Sequence, residues 1–86
     1  MAALKRKEFG QHIVSDPEIC GGKLTFKGTR IRVRDVLYYV GQGKDREWIA
    51  YAYDDHINRE AIAEAVTLAS EALIDQTLSH GVIVGV

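Results

Sequence analysis

The sequence predicts a mainly α domain: three helices in a helix-turn-helix plan, preceded by a short N-terminal β-ribbon. Three observations predict it. The chain has 86 residues, enough for one small core and no second. Its first third alternates apolar and polar residues between glycine turns, the mark of short strands. From Val33 the apolar spacing changes to i, i+3, i+4 and i+7, the mark of an amphipathic helix.

The elements follow in order. Residues 1–10 are polar and basic and end in Gly10, so a flexible basic arm is expected. A single domain is expected over residues 11–75. Its ribbon, residues 12–27, starts with "HIVS" and breaks at "SDPE", where Pro17 fixes a turn. "CGG" (20–22) supplies a second turn. "KLTFK" (23–27) then alternates, placing Leu24 and Phe26 on one face and Thr25 and Lys27 on the other. A first helix is expected at about 34–41, with Val33, Val36, Leu37 and Val40 as its stripe and Gly41 ending it. Asp45 can cap a second helix, 45–53, whose apolar face holds Trp48, Ile49, Ala52 and Tyr53. "YDDH" breaks it. Asn58 can cap a third helix, 58–74, with Ile57 and Ile62 placed as a hydrophobic staple. The tail, 76–86, which closes with "SHGVIVGV" (79–86), is strand-prone and uncharged apart from His80.

Composition narrows the classes. Hydrophobic residues make up 47% and charged residues 27%, the balance of an ordinary soluble domain. No apolar run is long enough to span a membrane and the start lacks a signal-peptide core. Cys20 is the only cysteine, which fits a reducing cytoplasm. The net charge of −1 hides a division. Residues 1–34 carry eight cations against three carboxylates, and residues 35–86 carry three against nine. This reads either as one basic and one acidic surface or as two halves that complement each other within the monomer.

The order "HIVSDPEICGGKLTFKGTRIRVRDVL", then a glycine turn, "EWIAYAY" and "INREAIAEAV", resembles the bacterial family catalogued as domain of unknown function 433. The resemblance runs from His12 to about Leu73. It implies a homeodomain-like three-helix fold related to the antitoxin components of bacterial toxin–antitoxin pairs. The positions that match its pattern are Asp16, Pro17, Gly22, Gly28, Thr29, Arg30, Ile31 and Val33. Leu24 and Arg32 stand where the family often has proline, Trp48 where an acidic residue is common, and Asp54 where a proline is frequent.

Catalysis finds no support in the residue pattern. His12, His56 and His80 share no metal-ligand spacing with Cys20 or each other, the serines lack an elbow motif, and no glycine run has phosphate-loop spacing. A protein that is not an enzyme, with no cofactor and no metal, is expected. For nucleic acid, the helix after the turn would enter the major groove and present Asn58 and Arg59, but Glu60 and Glu64 follow them and would repel phosphate. The basic strip of Lys23, Lys27, Arg32 and Arg34 is the other candidate, with Arg30 expected to pair locally with Asp16 or Glu18. Lys5 to Lys7 could add an arm, and if five cations of this basic end met phosphates the log–log salt slope would be roughly −4 to −5. Candidate partner anchors are Trp48 and Tyr51, with Tyr38, Tyr39 and the tail beside them; as structure alone, such aromatics are ordinary core or amphipathic surface. The expected function is an antitoxin-like or regulatory domain that binds a toxin-type protein, with operator DNA as a second candidate ligand, and forms a homo-oligomer. The alternative is a homodimeric protein-interaction module that does not bind DNA.

Overall fold

In the computed structural model, residues 5–79 are described, with side chains through Gln76. Three helices pack beside a small antiparallel sheet, so the domain is mainly α with an N-terminal sheet. The strands are β1 (Lys7–Phe9), β2 (Ile13–Ser15) and β3 (Leu24–Phe26), ordered β1-β2-β3. The helices are α1 (Val33–Gly41), α2 (Arg46–Ala52) and α3 (Arg59–Ser79).

The expected ribbon therefore has a third strand, drawn from the segment read as an arm. Phe9 pairs with Ile13 across β1–β2, and Ile13 with Phe26 across β2–β3. A polar segment orders here because two contacts hold it. Glu8 reaches across the sheet to Lys27 at 3.0 Å, and the turn after Phe9 is tied to α3 by Glu64. Three strands with a face packed on helices can persist where an isolated hairpin is marginal.

Alternation places Ile13 and Phe26 on the helix side of the sheet, and both join the core. Their neighbours Val14 and Thr25 point the opposite way, yet Thr25 is fully buried and Val14 nearly so. The expectation that Thr25 shares a solvent face with Lys27 is thus corrected. Leu24, expected inside with Phe26, is 43% exposed. The strand is covered on both sides at its centre, and a period-two pattern cannot show that.

Helix boundaries have local causes. Asp45 Oδ1 accepts the Trp48 N–H at 2.7 Å and caps α2. Asn58 Oδ1 accepts the Ala61 N–H at 2.8 Å and caps α3. Ile57 and Ile62 are both buried, closing the staple at that end. Between α2 and α3 the chain turns through Asp54 and Asp55, both at positive φ (53° and 59°), a conformation that aspartate tolerates better than most residues. The core joins Phe26, Val36, Ile49, Ala61, Ile62 and Ala65 across the sheet and all three helices. α3 continues to Ser79, so residues 76–79 of the expected tail are helical; residues 80–86 lie outside the described residues. No breaker stands between Glu71 and Ser79, and Glu, Ala, Leu and Gln there favour helix.

Candidate protein-interaction site

The second helix is short and buries Ile49 and Ala50 on its inner side. Its outer side carries Trp48 and Tyr51, one turn apart. Trp48 is 42% exposed and Tyr51 79%. Trp48 is held by its neighbours: the Tyr39 ring of α1 lies 5.5 Å from it and Lys44 Nζ stands 4.7 Å from its centroid. Tyr39 also meets Tyr38 at 5.8 Å and Tyr53 at 6.3 Å, both edge-on. Such ring pairs fix orientation beyond what burial alone does. Burial, helped by Tyr39 and Asp35 and opposed by Arg32, pushes the Tyr53 hydroxyl above its ordinary range. The result is an aromatic cluster joining α1 to α2, with Tyr38, Trp48 and Tyr51 facing outward.

The start of α3 is acidic. A concavity of about 440 Å³ beside it is lined by Glu47, Asp55, Asn58, Arg59 and Glu60 with Ala50. Both residues expected to read bases are engaged there. Asn58 uses its carbonyl oxygen as the helix cap, and Arg59 donates to Glu47 at 3.0 Å. Glu64, expected on the exposed side of this helix, points instead into the β1–β2 turn. Its carboxylate accepts the Gln11 N–H at 2.9 Å, the His12 N–H at 2.7 Å, and approaches His12 Nδ1 at 3.2 Å. These donors, Gln11 first, hold the Glu64 carboxyl below its ordinary value against a smaller opposing effect of burial. Nothing in the spacing of the sequence signals this contact, because its partners lie 52 and 53 positions away.

The basic strip is partly neutralised. Lys27 pairs with Glu8 at 3.0 Å, and Arg32, expected free, pairs with Asp35 at 3.1 Å. Arg32 precedes the first turn of α1 and Asp35 sits within it, a spacing that brings the two side chains together. Arg30, expected to pair with Asp16 or Glu18, makes no ion pair among the described residues. Asp16 instead accepts the Glu18 N–H at 2.9 Å in a local turn. Lys23 and Arg34 are exposed and make no ion pair among the described residues either.

The motif residues build the connection from β2 to α1. Ser15 donates to the Gly22 carbonyl, and Gly22 (φ 88°) turns against Pro17. Gly28 (φ 76°) makes the turn after β3. Thr29 Oγ1 donates to the Phe26 carbonyl at 2.8 Å and accepts the Ile31 N–H at 3.0 Å. The Arg30 carbonyl faces Cys20 Sγ at 3.7 Å. Among the described residues no group of His, Cys, Asp and Glu could hold a metal ion, and no helix is long and apolar enough to cross a membrane.

This same stretch, from β2 through the motif turns and into α3, decides the kinship: residues 13–69 match the family described as "Protein of unknown function (DUF433)". The chain belongs to DUF433. No curated protein and no solved structure matches it. The DUF433 segment holds Trp48, Tyr51 and the whole basic strip, while β1 and the part of α3 beyond Ala69 lie outside it. Glu64 thus joins a residue inside the DUF433 segment to a turn outside it.

Proposed function

We infer that this chain is a non-catalytic, antitoxin-like regulatory module that binds a basic, toxin-type protein through the aromatic face of α2. We read α2, its turn and α3 as a helix-turn-helix in which the second helix no longer reads bases. The observation that carries this reading is the pair of outward aromatics, Trp48 and Tyr51, set beside Glu47, Asp54 and Asp55. Tryptophan and tyrosine dominate binding energy where they are held in place and surrounded by polar residues. The Tyr39 and Lys44 contacts hold Trp48 before any partner arrives, so little side-chain freedom is lost on binding. The carboxylates favour a cationic partner and oppose phosphate. A protein that acts on nucleic acid presents a basic surface, which is the surface a toxin of that kind would offer. The antitoxin element comes from the family resemblance, and the single Cys20 suits a reducing cytoplasm.

Trp48 is the chain's one tryptophan, so the test has a direct signal. The product of a neighbouring toxin-type reading frame is co-expressed with this chain and copurified, and Trp48 emission is followed on mixing. Binding with a blue shift of that emission is expected. The pair Trp48→Ala and Tyr51→Ala should weaken binding by at least about thirtyfold, the effect of losing one interface hot spot of roughly 2 kcal/mol. Undiminished binding by that double variant would overturn the assignment.

A further inference from the structure

A second surface is independent of the aromatic face. A groove of about 570 Å³ opens between the sheet, α1 and the outer half of α3, with Phe9, Leu24, Leu37, Leu68 and Ala72 in its walls. It runs on into a further stretch of about 510 Å³, since Leu24, Val33 and Leu37 line both. No residue of α2 lines either part. The two ends carry opposite charge. Glu71 and Asp75 stand at the α3 end, and Lys23 and Arg34 at the α1 end. None of these four makes an ion pair among the described residues. Arg32, also at the α1 end, is already tied to Asp35.

The geometry points to a second copy of this chain as the occupant, its groove laid on the first across a two-fold axis. A two-fold interface must complement itself: where residue i of one copy meets j of the other, j of the first meets i of the second. A groove that is apolar along its length, acidic at one end and basic at the other meets that condition. Glu71 and Asp75 of each copy then face Lys23 and Arg34 of the other, and the four charges are matched twice. A ligand of one sign, such as a nucleic-acid backbone, matches one end and is repelled at the other.

Two features of the fold gain from this pairing. Every described side chain from Ala69 to Gln76 is exposed, although helices of this kind depend on tertiary packing for most of their stability. Phe9 and Leu24, 40% and 43% exposed at the groove, lose contact with water. A chain of this length has little stability to spare, and association supplies more by mass action. Phe9, Glu71, Ala72 and Asp75 lie outside the matched family segment, while Lys23, Leu24, Arg34 and Leu37 lie inside it. The acidic end of the device thus belongs to this chain's own flanks and the basic end to the family segment.

Charge exchange between two variants tests it. One variant carries Lys23→Glu with Arg34→Glu, the other Glu71→Lys with Asp75→Lys; all four sites are exposed, and circular dichroism checks that each variant folds. In sedimentation velocity the wild-type chain should show a concentration-dependent dimer. Each variant alone should dimerise at least roughly a hundredfold more weakly, because like charges then meet across the interface. An equimolar mixture should regain the dimer, since each acidic end again meets a basic one. A wild-type chain that stays monomeric at every attainable concentration overturns the proposal, whether its own residues 80–86 or an unrelated protein covers the groove. A dimer indifferent to both variants, or a mixture that stays monomeric, overturns it equally. Trp48→Ala with Tyr51→Ala should leave the dimer unchanged, which keeps the outcome separate from that of the partner-binding reading.

Discussion

At the scale of single residues, two buried or half-buried polar groups act in opposite directions. Thr25 is fully buried and its Oγ1 has no hydrogen-bond partner among the described residues. A hydroxyl in that position has lost its water without replacement. Thr25→Val keeps the shape and removes the orphaned oxygen, so it should stabilise the domain by about 1 kcal/mol, read as a rise in Tm of roughly 4–8 °C. An unchanged or lower Tm would show that the hydroxyl is satisfied. Glu64 is the converse, a carboxylate well supplied with donors. Its pKa lies below the ordinary 4.5, first because the Gln11 N–H binds the anion and then because His12 does. The native state therefore favours the ionised form more than the unfolded state does. That contribution is complete above about 4.5 and is lost as the pH falls through the lower native value. Urea midpoints of wild type and Glu64→Gln should differ by a constant amount above about pH 5 and converge in acid. Glu8 is also held low, chiefly by Lys27, but it titrates in both proteins and cancels from the difference. Neither residue was legible in the sequence. Thr25 fell on the polar side of a strand pattern, and Glu64 on the polar side of a helix.

At the scale of elements, legibility followed the range of the interactions that make each one. α1, α2 and α3 are written in local terms: stripes at helical spacing, and caps at Asp45 and Asn58 whose backbone N–H donors lie within one turn. β1 is not. Its residues, Lys7, Glu8 and Phe9, are all exposed, and the hairpin exists through Lys27 and Glu64, distant in sequence. The turn between β1 and β2 shows how tight that dependence is. Gly10 sits at φ +65°, and a Cβ there would press into the Glu64 carboxylate, which its N–H donors hold in place. Gly10→Ala must therefore accept a left-handed backbone and displace the clamp together. We expect a loss of about 2 kcal/mol or more, one part from the backbone and one from the charged hydrogen bonds, measured by urea denaturation. The combination with Glu64→Ala should cost much less than the sum, because the second change removes the group the first collides with. Additive losses would mean that Gly10 is needed for its φ alone.

For the whole molecule, the charge division in the sequence is redrawn once side chains are placed. Of the acidic half, Glu47, Asp55 and Glu60 gather at the start of α3, where Glu47 also takes Arg59 out of play, while Glu71 and Asp75 stand at the groove. The basic half is thinner than its composition suggests, because Lys27 and Arg32 are occupied by Glu8 and Asp35. Sequence alone showed the sum of charges and not their pairing, since Glu8 and Lys27 are 19 positions apart. The consequence for nucleic acid is quantitative. On dilute chain below its self-association, the strip offers Lys23, Arg30 and Arg34, and three phosphate contacts correspond to a log–log salt slope of about −2.7. Replacing those three by alanine should remove a slope component of that size from duplex-DNA anisotropy titrations. Lys27→Ala or Arg32→Ala should change the slope little, because each already neutralises a carboxylate. If either single replacement lowers the slope by about 0.9, a full phosphate contact, then its ion pair opens on DNA and the strip makes more than those three contacts. If the expected pattern holds, raising the chain concentration should weaken DNA binding further, because the two-fold groove claims Lys23 and Arg34 for the second copy.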